Sequence, residues 1–242
     1  MTALLQVENL SKRFRGLKAV SNVSFTVPEG RILALIGPNG AGKTTTFNLI
    51  AGVFAPDQGT VALKGRSLTG LKPNQVCAAG IGRTFQIVKP FGHLTVEENV
   101  LVGALAREAS VETARREARA VLKRLELDDQ AGRPARSLTL PDRKRLEVAR
   151  ALATRPTLLL LDEVLAGLRP TEVDRMVDVL RDLNRREGLT ILMIEHVMRA
   201  VMALSDRVVV LDHGEKIADG APAEVVADPR VIESYLGAEA LG

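Results

Sequence analysis

The sequence predicts an α/β fold organised on a mainly parallel sheet, and three observations carry that prediction. Apolar runs at residues 32–36, 158–161, 191–194 and 208–211 have buried-strand length, as strands covered on both faces do. Segments of helical spacing separate most of them, so strand and helix alternate along much of the 242 residues. Residues 95–154 break the alternation with helix signals and no intervening strand signal, and read as a helical insertion.

In chain order, residues 4–8 and 23–27 are predicted strands, the second placing Val23, Phe25 and Val27 on one face before Pro28-Glu29-Gly30 turns the chain. Between them lies a basic, turn-rich stretch, Ser11-Lys12-Arg13-Phe14-Arg15-Gly16. Its Phe14 ring serves either as a stack for a purine or as a core residue. Strand 32–36 then runs into Gly37-Pro38-Asn39-Gly40-Ala41-Gly42-Lys43-Thr44-Thr45, followed by the helix-like Thr46-Phe47-Asn48-Leu49-Ile50. This is G-x-x-x-x-G-K-[ST] at every required position, in the strand-loop-helix context that the motif needs. Gly37, Gly40 and Gly42 let successive N–H groups point at phosphate oxygens, and the helix adds its positive N-terminal end. Lys43 is placed for the β- and γ-phosphates and the Thr44 hydroxyl for Mg²⁺, which a loop built only for a tight turn has no reason to supply. The fold expected is therefore a P-loop NTPase. No N-K-x-D guanine motif occurs, which favours ATP over GTP.

Beyond the loop, a turn at Pro56-Asp57-Gln58-Gly59 leads to strand 60–63, and residues 73–79 read as a short helix with proline in its first turn. The run Ile81-Gly82-Arg83-Thr84-Phe85 ends in Gln86, which either reaches a metal or water at the phosphates or is a solvated loop residue. Thr95-Val96-Glu97-Glu98 is a capping box opening a helix to residue 107. Helices 110–125, with Glu112 and Arg116 paired at i,i+4, and 143–154 follow. Strand 158–161 closes on Asp162-Glu163. A central parallel strand delivers its C-terminal end to the ligand crevice, where Asp162 is suited to hold Mg²⁺ and Glu163 to orient and deprotonate an attacking water. An amphipathic helix at 170–187 ends at Gly188, and strand 189–194 ends in Glu195-His196, whose histidine is either structural or catalytic. A hairpin around Asp212-His213-Gly214 and short helices at 221–227 and 231–236 finish the chain.

Composition narrows the classes further. No apolar run approaches the roughly 18 residues of a membrane span, and residues 1–8 carry neither the basic nor the apolar region of an export signal, so a cytoplasmic place is expected. Lone Cys77 cannot form an internal disulfide and is expected to be a small buried apolar residue. The net charge of +4 is concentrated in residues 107–155, with thirteen Arg or Lys against eight Asp or Glu; a solvated helical face is the simpler reading and docking near anionic headgroups the other. No Trp, one Tyr and six Phe leave little for a base-stacking platform, so no nucleic-acid partner is expected.

The ordered set of phosphate loop, strand-end Gln86, Asp162-Glu163 and His196 resembles the Walker A, Q-loop, Walker B and H-loop of ABC transporter ATP-binding subunits over essentially the full length. Phe14 falls where that family's adenine-stacking aromatic sits. Gly82-Arg83-Thr84-Phe85-Gln86, the segment Leu94-Thr95-Val96-Glu97-Glu98-Asn99-Val100-Leu101-Val102-Gly103, Ala166-Gly167-Leu168-Arg169-Pro170 and Tyr235-Leu236-Gly237 are similar to the subunits of branched-chain amino-acid importers. The resemblance implies one cassette: a nucleotide-binding core at 1–94 and 155–242, with an antiparallel β subdomain, and a helical subdomain at 95–154. It implies an ATPase using ATP and Mg²⁺, the metal held through Thr44, Gln86 and Asp162, with Glu163, His196 and Gln86 catalytic and Phe14 and residues 37–45 on the nucleotide. Its partners are transmembrane permease subunits, a second ATPase subunit in a homo- or heterodimer and, indirectly, a periplasmic solute-binding protein. Its place is peripheral, on the inner face of the cell membrane. A lipopolysaccharide-type exporter ATPase, a soluble ABC ATPase acting on nucleic acid or ribosomes, and a small-molecule kinase are the rivals. Two positions depart from the pattern: the signature L-S-G-G-Q reads Leu138-Thr139-Leu140-Pro141-Asp142, and Arg169 replaces the D-loop aspartate. Pro141 has no N–H to offer a phosphate, and Asp142 either adds repelling charge there or simply starts a helix well.

Overall fold

The computed structural model describes residues 3–86 and 89–239. Its strands are β1 (Ala3–Phe14), β2 (Leu17–Pro28), β3 (Ile32–Ile36), β4 (Gln58–Leu63), β5 (Arg66–Ser67), β6 (Ile81–Arg83), β7 (Leu158–Asp162), β8 (Thr190–Ile194), β9 (Arg207–Asp212) and β10 (Glu215–Gly220). Its helices are α1 (Lys43–Ile50), α2 (Pro73–Ala79), α3 (Val96–Ala104), α4 (Val111–Arg124), α5 (Leu140–Leu152), α6 (Pro170–Glu187), α7 (Met198–Leu204), α8 (Pro222–Val226) and α9 (Pro229–Glu239).

Six strands form one sheet in the order β10-β9-β3-β8-β7-β6, parallel except for β10. The other sheet, β2-β1-β4-β5, is antiparallel. The two-residue period of a strand sorts the central residues between two cores. Ile32, Ala34, Ile36, Leu159, Leu161, Ile191 and Met193 face one that also takes Val96, Val100, Leu122 and Leu146 from α3, α4 and α5. Leu33, Leu35, Leu158, Leu160, Leu192 and Ile194 face the other, which holds Phe47 and Ile50 of α1 and the inner side of the antiparallel sheet. The uninterrupted apolar runs are therefore strands buried on both faces, as their patterning requires. Because β3, β6, β7 and β8 run parallel, their C-terminal ends all open on one edge of the sheet.

Several local expectations change. The stretch 11–16 is not a loop between short strands: β1 and β2 are twelve residues each and meet as a hairpin turning at Arg15 and Gly16. Left-handed Asn9 (φ 49°) and Asn22 (φ 53°), at register shifts stitched by Ser24 and Ser11 hydroxyls, break the alternation that would have marked the full length. The helix from Thr95 ends at Ala104, and the one expected from residue 143 starts at Leu140, capped by Thr139 with Pro141 in its first turn. The strand leading to Gln86 stops at Arg83, and helix α7 had no counterpart in the pattern reading. Glu112 and Arg116 form no ion pair among the described residues; Arg115 and Arg119 of the same helix reach across to Glu97 instead. Cys77 is half-buried. Of residues 1–8, Met1 and Thr2 lie outside the described residues.

Candidate functional site

The phosphate loop owes its shape to close backbone approaches. Gly37 (φ 146°) and Gly42 (φ 96°) sit where a Cβ would lie 2.0 Å from the Leu211 carbonyl and 2.4 Å from the Ala19 carbonyl, so neither position tolerates a side chain. Gly214, in the β9–β10 turn, bridges loop and sheet by donating to Ala41 O and accepting from Ser21 N. Lys43 opens α1 and is only 6 % exposed; its Nζ donates to Gly37 O at 2.6 Å and Pro38 O at 2.8 Å, curling over the loop. Burial lowers its pKa, opposed by the Glu163 and Asp162 charges.

A cavity of about 760 Å³ lies over this loop and is lined by Phe14, Lys18, Asn39 to Thr45, Gln86, Glu163, His196 and His213. Pro38 lines the adjoining cavity, while Gly37 and Asp162 lie beneath the surface. The fold thus gathers the predicted residues at one place. Phe14, at the hairpin tip, is 37 % exposed and meets Phe54 edge to face at 5.1 Å, so it is a ring presented to the cavity and not a core residue.

Asp162 ends β7 almost fully buried. Its Oδ2 accepts from Arg83 Nη2 at 3.1 Å, and Arg83 also donates to Asn48 Oδ1 at 2.7 Å, tying β6, β7 and α1 together. Its Oδ1 is buried without a hydrogen-bond partner among the described residues, an open ligand position on a carboxylate beside the phosphate loop. Burial raises the Asp162 pKa and Arg83 opposes the rise.

Glu163 follows in a left-handed conformation, φ 51°. Its carboxylate lies between Gln86, which donates to Oε2 at 2.8 Å, and His196, whose Nε2 is 2.9 Å from Oε1. Gln86 and His196 are therefore both engaged at the Glu163 carboxylate.

Arg83, Lys144 and Glu195 also meet these residues, and the pattern reading passed over all three. Lys144 and Arg145 belong to the basic run 107–155, yet they are 5 % and 8 % exposed, so the simple solvated-face reading fails at α5. Lys144 Nζ donates to the Glu163 carbonyl at 2.9 Å. The signal available was position: three successive cations at 143–145 cannot all reach solvent from a helix whose neighbours Leu146 and Val148 are core.

The departure at 138–142 has a local explanation. The Asp142 carboxylate turns inward, accepting from Gln130 at 3.0 Å, Thr139 Oγ1 at 2.9 Å and Arg145. Its pKa is lowered by these partners against the opposing effect of burial, the largest single influence. It is a compensated charge at a helix start, the arrangement of the helix-start reading. Pro141 still offers no N–H.

A family model described as ABC transporter matches residues 20–166, and one described as branched-chain amino acid ATP-binding cassette transporter matches residues 215–240. The chain is 43% identical over 249 aligned positions to the high-affinity branched-chain amino acid transport ATP-binding protein LivG of Salmonella typhimurium, covering 97% of this chain and 98% of that one. To the lipopolysaccharide export system ATP-binding protein LptB of Haemophilus influenzae it is 35% identical, covering 97% and 98%. Among solved structures it resembles the ADP conformation of an ATP-binding cassette of an ABC transporter, with TM-score 0.89, 32% identity and coverage of 98% and 100%. A dimeric post-hydrolysis cassette bound to ADP and Pi matches with TM-score 0.82 and 25% identity, covering 90% and 98%.

Proposed function

The chain belongs to the ABC transporter family of ATP-binding subunits, and from that premise we propose that its hydrolysis of ATP powers an importer of branched-chain or other amino acids. The observation that carries the solute class is the family match confined to residues 215–240, together with the higher identity to LivG than to LptB.

The N–H groups of the loop 37–45, Pro38 excepted, would hold the phosphates of ATP and the Phe14 ring its adenine. Lys43 would exchange two neutral carbonyl acceptors for anionic phosphate oxygens, so that its charged donor meets a charged acceptor. Thr44, Asp162 and Gln86 fit Mg²⁺. The unpartnered Asp162 Oδ1 supports this, for an ion that takes most of its ligands from phosphate and water. Bound there, Mg²⁺ neutralises charge on the β- and γ-phosphate oxygens. Glu163 takes the proton of the attacking water, while Gln86 and His196 aim its carboxylate. Arg83 opposes the rise that burial imposes on the Asp162 pKa.

The partners in this reading are transmembrane permease subunits, a second ATPase subunit and, through the permease, a periplasmic solute-binding protein; the chain sits on the inner face of the membrane. No helix among the described residues is long and apolar enough to cross a membrane. A groove of about 280 Å³ lined by Val76, Phe85 and Val102, with Phe85 55% and Val102 47% exposed, offers the permease an apolar seat next to Gln86. Reconstitution with the permease subunits in vesicles loaded with ATP tests the whole: uptake of labelled leucine, abolished by Glu163→Gln, is expected. ATP-dependent extraction of lipopolysaccharide without leucine uptake would replace the importer reading with the exporter one.

A further inference from the structure

Glu163 occupies a left-handed backbone conformation, φ 51°, which is strained for a non-glycine residue and persists only where the surroundings hold it. Its N–H donates to Ile194 O at 2.9 Å, and its carbonyl accepts from Lys144 Nζ at 2.9 Å. Two residues on, the Leu165 N–H donates to Glu195 Oε1 at 3.0 Å. Lys144 and Glu195 are 5 % and 1 % exposed, and buried ionisable groups are unfavourable unless their partners justify them. Both side chains meet one short segment, 163–165, which carries the carboxylate that Gln86 and His196 contact. Neither Lys144 nor Glu195 lines the nucleotide cavity, so contact with ATP does not account for their burial.

We propose that Lys144 is a positioning residue for the base, its amine on the Glu163 carbonyl holding the left-handed turn that aims the Glu163 carboxylate at Gln86 and His196. The proposal rests on the reading of Glu163 as the base. Glu195, from the end of β8, secures the far side of the same segment. Lys144 stands on α5, two residues beyond the Asp142 that closes the start of that helix. The base is thereby tied to α5: displacement of the helix withdraws the amine, and Glu163 relaxes toward the right-handed conformation with its carboxylate off its two partners. Burial lowers the Lys144 pKa, while the Glu195, Glu163, Asp162 and Glu147 carboxylates around it favour the charged form.

Full-length Lys144→Met, the double variant Lys144→Met with Glu195→Gln, and Glu163→Gln are each assembled with the permease subunits and compared for kcat, KM and binding of a fluorescent ATP analogue. Lys144→Met is expected to lose about 10- to 100-fold in kcat with KM and affinity within about twofold, as displacement of a base by an ångström or so does. Parent-like kcat overturns the proposal, and so does an equal loss in nucleotide affinity, which would make Lys144 a purely structural residue. Should Lys144→Met fail to fold, the double variant removes the buried charges together and carries the same expectation and the same refutation. A parent-like kcat in Glu163→Gln is a different failure, since it removes the base assignment whatever Lys144 does.

Discussion

Replacing Glu195 by glutamine should stabilise the protein at pH 8 and leave it nearly unchanged at pH 4.5. Glu195 is 1 % exposed, and burial pushes its pKa from 4.5 up to about 7, against the Leu165 and His196 N–H groups and the Lys144 charge, with Glu163 adding to the rise. Unfolded, the group loses its proton near the ordinary value; folded, it keeps it until about 7. Between those values the folded state binds one proton more than the unfolded state, so stability falls as pH rises, and the fall is complete above the folded pKa. At about 1.4 kcal/mol per unit over about 2.5 units, the parent is about 3 kcal/mol less stable at pH 8 than this site allows at low pH. Glu195→Gln keeps an acceptor for the Leu165 N–H and does not titrate. Urea unfolding of parent and variant at both pH values measures the effect as a stability difference that grows by about 3 kcal/mol from pH 4.5 to pH 8. A difference that is the same at both pH values, or that favours the parent at pH 8, refutes the reasoning.

Three further outcomes follow from the same geometry. Lys43→Ala removes a charged donor to phosphate and should weaken ATP binding by about 10- to 100-fold in a fluorescence titration, whereas Glu163→Gln should bind ATP normally and turn over at background rate. Gly42→Ala, whose Cβ would lie 2.4 Å from the Ala19 carbonyl, should lose nucleotide binding and stability, while Gly40→Ala, with nothing within 4 Å, should lose far less; similar melting temperatures and affinities for the two would contradict the packing argument. In a heterodimer with an ATPase subunit of ordinary signature, Glu163→Gln should reduce ATPase rate much more than the matching change in the partner, because Pro141 withholds an N–H from the partner's nucleotide; equal losses would sink the asymmetry.

The sequence by itself determined what is written in contiguous residues. The phosphate loop at 37–45, the apolar runs that became β3, β7 and β8, the capping box at Thr95 and helix Pro170–Glu187 were all legible, because strand period, helix period and loop chemistry are properties of neighbouring residues. Parallel order then placed Asp162, at the end of β7, and Glu163, His196 and Gln86, one, two and three residues past the ends of β7, β8 and β6, on one edge. Tertiary structure decided the partners. Arg83 meets Asp162 across 79 positions and Lys144 meets Glu163 across 19, and no period in the chain encodes either contact. The same holds for Asp142, a negative charge in a departed motif by sequence and an ion-paired helix start in the fold. A buried charge acquires its meaning from the group that topology sets against it, because its energy depends on local dielectric and on a partner within a few ångströms, and both exist only once the chain has closed around it.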